Sequence, residues 1–318
     1  MALDMLGVKY TPCFACESQK HLRVLSQEMH GYCHMYVDVC SDQFLSSPTC
    51  DLFVSGFPCQ PFSAAGLGRG ISDKTSGKIM ISLARWIAVH KPRAFVLENV
   101  QGLVQRHPRT LLTLMTVLQG LHDHRGSQLY NVSWKILHCA KHGYLPQNRS
   151  RLFIVGLRSD SQVSPMTWPT EVPTTPLRNL LKTKLTKTRA AELGIGVGSL
   201  NASERTNLIE VLKRLRARGE DPAEAWVADL GGSRAAMMKS MCPTLTRTRS
   251  QSGGFWMTWL GRKMTTNEIL RLQGIHPHSI PCGLVSERQV RGAAGNSIPV
   301  PLLARVLQGV LPSVGYKV

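Results

Sequence analysis

Over its first 158 residues the chain repeats one pattern: a short apolar run, a charged or reactive residue at its end, then a stretch with helical spacing. Runs at 10–15, 32–37, 52–54, 93–97, 132–138 and 151–157 have strand length and are bounded by turn signals. Between them lie helical patterns: Leu22, Leu25 and Met29 closed by Gly31, then 78–90, then 110–121. Residues 2–6 read as the tail of a further helix capped by Gly7. Strands alternating with helices imply an α/β fold with a doubly wound, mostly parallel sheet. In such a sheet ligands bind at the carboxyl ends of the strands, and that edge collects Glu17, Asp38, Cys59 and Glu98.

The third run ends in Gly56-Phe57-Pro58-Cys59-Gln60-Pro61-Phe62-Ser63, a cysteine held between two prolines. Proline fixes φ and biases its predecessor away from helix, so the loop is rigid. Taken alone, a free cysteine is more often a buried apolar side chain than a nucleophile. Residues 64–77 carry four glycines and several polar residues, a composition suited to a segment that closes over a ligand. The spacing of Gly66, Gly68 and Gly70 follows no strand and opens no helix, so it is no phosphate cradle.

A thiol, a carboxylate on the next strand and two arginines on a later turn suit nucleophilic attack on an electron-poor ring. Arg149 and Arg151 are two apart and share a face of an extended backbone. They can lower a thiol pKa and grip an anion or a carbonyl. Glu98 needs a raised pKa to protonate a ring nitrogen.

After Arg158 the alternation stops. Residues 160–255 are rich in Thr, Ser, Pro and basic side chains and show one clear helix near 204–218, and we read them as a small second domain. Helical spacing resumes over 265–273 and 299–311, with a glycine loop at 292–295. The expected division is 1–159, 160–258 and 259–318, the last returning to the first domain.

Charge narrows the partner. The chain holds 38 Lys and Arg against 20 Asp and Glu, a net charge of +18, which favours a polyanion because each neutralised phosphate releases counterions. Nine cysteines without regular spacing argue against a disulfide framework. Cys13 and Cys16 form a single C-x-x-C with no second half, so no metal is expected. No run suits a bilayer and no leader is evident, so the chain reads as soluble and intracellular.

Pro58-Cys59-Gln60, Glu98-Asn99-Val100, Gln147-Asn148-Arg149-Ser150-Arg151, the 262–268 segment and Gly295-Asn296-Ser297-Ile298-Pro299 resemble, in order, the motifs of DNA cytosine-5 methyltransferases. The resemblance covers nearly the whole chain outside 160–240. It implies a Rossmann-like fold with a smaller, irregular target recognition domain at 160–258, and S-adenosylmethionine as cofactor. It also implies that double-stranded DNA is the partner of a monomeric enzyme, nuclear in a eukaryote or cytoplasmic in a bacterium. By the same resemblance Cys59 attacks cytosine carbon 6, Glu98 binds ring nitrogen 3, and Arg149 and Arg151 hold the base and its phosphate. Cofactor contacts carry over to Glu17, Asp38, Val39, Pro58 and Asn296. Gln60 and Ser63 lie on the loop that replaces a flipped base, and Thr244 and Leu245 resemble the end of the recognition domain.

One departure is expected to matter. Family members open with a strand and a Phe-x-Gly-x-Gly loop, and that strand normally lies in mid-sheet. Its absence here should leave neighbouring strands with unpaired backbone groups. Met1 is accordingly read as an internal methionine of a longer protein, or the chain as a truncated relative. The alternatives are a DNA-binding pseudoenzyme that does not hold the cofactor, and transfer to tRNA cytosine.

Overall fold

Each of the six apolar runs is a strand: β1 Phe14–Cys16, β2 His34–Tyr36, β3 Leu52–Gly56, β4 Ala94–Val100, β5 Tyr130–His138 and β6 Ser150–Arg158. The computed structural model describes residues 1–58, 74–181 and 185–318. Within them β1 is shorter than its apolar run, because Pro12 has no N–H to give the ladder. Pairing starts only where the amides of Cys33 and His34 reach the carbonyls of Pro12 and Cys13, both at 3.2 Å.

The strands form two sheets, β1-β2 and β3-β4-β6-β5. The pairs β1/β2 and β3/β4 are parallel, whereas β4/β6 and β5/β6 are antiparallel. The α/β sheet expected from the sequence is present with an antiparallel arm, for a local reason. Only residues 139–149 link β5 to β6, fewer than a parallel crossover needs. Among the described residues no ladder joins β1 to β3.

Contacts divide the chain into two units. The first comprises Met1–His138, Ser150–Thr170 and Leu302–Val318; the second comprises Cys139–Arg149 and Glu171–Pro301. In the first unit, β4 is buried from Ala94 to Asn99, as a strand covered on both faces must be. Trp86 is the hub of the aromatic packing beside it. Its ring stacks on Phe53 at 4.3 Å and lies 5.5 Å from Phe14, while its indole N–H donates to Ser47 at 2.8 Å. The helix Lys20–His30 buries Leu25 and stops at Gly31, whose φ of 60° is open to glycine at little cost.

The second unit corrects the picture of an irregular segment. It contains an antiparallel sheet in the order β10-β9-β7-β8, built from Trp226–Asp229 (β7), Ala236–Lys239 (β8), Phe255–Met257 (β9) and Arg262–Lys263 (β10). These strands are two to four residues long and contain one β-branched residue, Val227, too little for a period-2 signal. By contacts, Leu302–Val318 belong to the first unit. The helices Thr266–Leu272 and Glu287–Asn296 stay in the second unit, packed against each other, and Glu287–Asn296 also packs on Arg247–Ser252.

Strand β10 carries two buried cations aimed at two helix starts. Arg262 makes a bidentate pair with Glu268 at 2.9 Å, and Lys263 contacts both oxygens of Glu204 at 2.7 and 2.9 Å. Both carboxylates are also the third-position members of capping boxes, Glu204 with Asn201 and Glu268 with Thr265. Each acid therefore satisfies orphan amides of a helix and neutralises a buried charge at once.

Candidate active site

In the first unit the functional side chains stand at strand ends. Parallel pairing sets Cys16 opposite Tyr36, and the Glu17 amide closes the ladder on the Tyr36 carbonyl at 3.1 Å, so Glu17 and Asp38 leave adjacent strands at one edge. Each carboxylate is oriented by main chain: the Gln19 amide donates to Glu17 at 2.8 Å, and the Cys40 amide to Asp38 at 2.8 Å. Glu17 is half-buried and Asp38 exposed, and Val39 packs against the core. Pro58 is exposed just past β3. Cys59, Gln60 and Ser63 lie outside the described residues.

Glu98 is nearly buried on β4 and forms an ion pair with Arg151 of β6, Oε1 to Nε 2.8 Å. The register explains the contact. Val100 faces Arg151 across the antiparallel pair, and Glu98 lies two residues from Val100 on the same face, within reach of a long side chain. Between them Asn99, wholly buried, turns to the opposite face. Its amide nitrogen donates to the Phe57 carbonyl at 3.4 Å, and its Oδ1 accepts from the Val100 amide at 2.8 Å. Asn99 thus ties β4 to the residue just before Pro58. Sequence reasoning assigned it no role, although it sits inside a quoted motif.

The second unit gathers its own site residues on one turn. The Asn148 amide donates to the Cys242 carbonyl at 2.9 Å, the Cys242 amide to Pro146 at 2.8 Å, and the Thr244 hydroxyl to the Asn148 carbonyl. Arg149, 2% exposed, donates to the carbonyls of Leu245, Gly295 at 3.1 Å and Ser297 at 2.8 Å. Its guanidinium thus contacts main chain at three places; the sequence expectation gave it to the base and its phosphate. Asn296 sits exposed between two of those carbonyls.

Two glutamines that sequence reasoning passed over complete this turn. Gln147 donates to the Leu272 carbonyl at 2.9 Å, and Gln273 donates to the Ala294 carbonyl at 2.7 Å; both are fully buried. A buried amide side chain at a motif position was the available signal, since such groups must find partners. At Gly295 a Cβ would press on the Thr246 carbonyl at 2.5 Å and Ser250 Oγ at 2.6 Å, so only glycine allows the close approach.

Two of the described cysteines are held in the thiol form by burial. Burial pushes the Cys16 and Cys50 thiols up to about 12, with nearby acidic groups adding to the shift. They are protonated at neutral pH, and the thiolate is the reactive form. Brief treatment with iodoacetamide at pH 7.5, followed by peptide mass spectrometry, is expected to label exposed Cys33 and Cys282 and to spare Cys16 and Cys50. Faster labelling of Cys16 than Cys33 would contradict this assignment. Among the described residues no cluster of three or more His, Cys, Asp or Glu could hold a metal ion, and no helix is long and apolar enough to cross a membrane.

The chain is similar to known methyltransferases in sequence and in fold. Over 159 residues the chain is 36% identical to the Type II methyltransferase M.NlaIV of Neisseria lactamica, an alignment covering 47% of this chain and 34% of that protein. Against M.NgoBI of Neisseria gonorrhoeae it is 31% identical over 296 residues, 92% of this chain and 84% of the relative. The chain thus spans about a third of the length of some curated relatives (34% for M.NlaIV) and most of others. The fold is that of S. pombe Dnmt2 methyltransferase, with a TM-score of 0.61 at 16% identity over 99% of this chain and 95% of that one. A putative DNA modification methyltransferase from an E. coli prophage superposes with a TM-score of 0.62 at 17% identity, over 98% and 95% of the two chains. The model for C-5 cytosine-specific DNA methylases matches residues 3–311, and with that span the chain belongs to the C-5 cytosine-specific DNA methylase family.

Proposed function

We propose that this chain transfers a methyl group to carbon 5 of a cytosine flipped out of double-stranded DNA. The observation that carries the reading is the buried Glu98–Arg151 pair at 2.8 Å, on the strand beside the one that runs into Pro58-Cys59-Gln60. A carboxylate held by a guanidinium is oriented without spending mobile side-chain freedom; it accepts from the amino group of cytosine and, once protonated, donates to ring nitrogen 3.

The Cys59 thiolate adds to ring carbon 6, and the electron pair of the 5,6 double bond moves to carbon 5 while Glu98 hydrogen-bonds ring nitrogen 3. Carbon 5 takes the methyl group. Loss of the carbon 5 proton to a base then re-forms the double bond and expels the thiolate. Arg151 holds the Glu98 carboxylate in place, and Arg149 ties the turn that bears Asn148 to the carbonyls of Leu245, Gly295 and Ser297. Gln60 and Ser63 are assigned to the stack vacated by the base, and Thr244 and Leu245 to the nucleic-acid side of the second unit. The net charge of +18 suits a phosphate backbone.

The cofactor reading is S-adenosylmethionine, which supplies an electrophilic methyl group on a sulfonium. Glu17 and Asp38 fit its adenosine: two main-chain-oriented carboxylates at adjacent parallel strand ends suit ribose hydroxyls and an exocyclic amine. Val39 offers an apolar contact, and Pro58 and Asn296 are the remaining contacts of this reading.

Duplex DNA carrying 5-fluorocytosine tests the nucleophile, because fluorine cannot leave as the carbon 5 proton does. With the cofactor, the wild-type chain is expected to give a protein–DNA species stable to denaturing electrophoresis, and Cys59→Ser to give none. Absence of the adduct from wild type, on duplex DNA and on tRNA alike, sinks the reading. An adduct on tRNA alone replaces DNA as substrate.

A further inference from the structure

A cleft of about 440 Å³ opens in the first unit, between the edge strand β5 and the segment that follows β6. Such a volume holds a small molecule. The cleft lies away from Glu98: Leu157, in its lining, pairs with Ala94, which is four residues and so about 13 Å along β4 from Glu98. Polar groups reach it from three elements. Gln119 ends the helix Pro108–Gln119, Asn131 and Ser133 belong to β5 just after Gln128, and Gln162 follows β6. Leu157, Met166 and a half-buried Trp168 supply apolar surface.

The walls are held by the protein itself. The Ser159 amide and hydroxyl donate to the carbonyls of Leu129 at 2.9 Å and Gln128 at 2.7 Å, and Asn131 Nδ2 donates to Gln162 Oε1 at 2.5 Å. Farther along, the Val163 amide donates to the Ser313 carbonyl at 2.9 Å, and the Ser313 hydroxyl to the Pro165 carbonyl at 3.1 Å. At Gly309 a Cβ would overlap the Thr167 carbonyl, so the helix Val300–Ser313 grips this wall by close backbone approach. Walls fixed in this way spare a ligand the entropy of ordering them.

Charge narrows the occupant. The chain carries 38 Lys and Arg and 20 Asp and Glu, yet none of them lines this cleft. A phosphate, a carboxylate or an amine would find no counter-charge there. The side chains of Gln119, Gln128 and Ser133 make no hydrogen bond among the described residues, and each both donates and accepts. A heterocyclic base keeps fixed donors and acceptors on particular edges. A pyranose instead carries hydroxyls round its rim, and each donates and accepts as these side chains do. The electron-rich indole of Trp168 matches the C–H face of such a ring. We propose that this cleft binds a neutral mono- or disaccharide, with its apolar face on Trp168 and its hydroxyls on Gln119, Gln128 and Ser133. The site belongs to the first unit alone and does not rest on the methyl-transfer reading.

The test is nuclear magnetic resonance on the full chain, isotope-labelled at the tryptophan indoles, with the Trp168 signal identified by its loss in Trp168→Phe. The probes are maltose, cellobiose, lactose and the methyl glycosides of glucose, galactose and mannose. Glucose phosphate, cytidine and adenosine serve as comparators. At least one neutral sugar is expected to shift the Trp168 signal saturably and to leave the other indoles in place. Combining Gln128→Ala with Ser133→Ala, at positions that reach solvent, is expected to weaken that binding about fivefold or more, as lost neutral hydrogen bonds do. No shift with any of these sugars overturns the proposal. So does unchanged affinity in the double variant, which puts the sugar elsewhere. Tighter binding of the phosphate or of a nucleoside also overturns it, since the cleft then takes another class of ligand.

Discussion

Glu98→Gln is expected to lower the rate of methyl transfer to duplex DNA by roughly 10²–10⁴-fold, the range for a positioned acid or base. Glutamine keeps the size of the side chain and a carbonyl oxygen that accepts from Arg151 Nε. It removes the charge and the capacity to share a proton with ring nitrogen 3. Loss of a buried carboxylate beside Arg151 also destabilises the fold, because an unpaired buried guanidinium is costly. Thermal unfolding followed in parallel separates the two effects, and rates are compared well below both transitions. A variant within a factor of three of wild type, with DNA binding unchanged, removes Glu98 from the mechanism.

Arg149→Ala is expected to destabilise the second unit by roughly 3–5 kcal/mol, read by urea unfolding. The side chain ends on the carbonyls of Leu245, Gly295 and Ser297, three acceptors drawn from two distant stretches of the chain. Truncation leaves them in a buried site with a cavity where the guanidinium stood. Arg149→Lys restores charge and one donor direction but not the planar fork, so it is expected to recover part of the loss. If the alanine variant unfolds at the wild-type urea concentration and only DNA affinity falls, Arg149 binds nucleic acid and does not staple the turn.

Much of the first unit was legible because its signals are local. Apolar runs of strand length, Gly31 at a helix end and the order of the motifs each need a few neighbouring residues. The antiparallel arm was not legible, since it depends on the short 139–149 link carrying a helix of only four residues, Cys139–His142. The strands of the second unit escaped because two to four residues cannot display a period, and their burial comes from long-range packing of Trp226, Phe255 and Trp256. Among site residues, Glu98 and Arg151 were legible as candidates from their motifs, but their contact depends on the antiparallel register that sets Val100 opposite Arg151. The main-chain contacts of Arg149 were not legible, because these acceptors lie 96 to 148 positions away in sequence.

The double use of Glu204 and Glu268 has a bearing on how such a chain changes over evolutionary time. Strand β10 sets the starting points of the helices Ala202–Ala217 and Thr266–Leu272 through buried charge. The frame of these helices is thus independent of the lengths of the loops around them. Loop insertions and deletions, which cost little closure entropy, can then alter which surface meets the partner without moving the helices. Substitution at Glu204, Arg262, Lys263 or Glu268 has no such freedom, so diversification is channelled into the connecting segments.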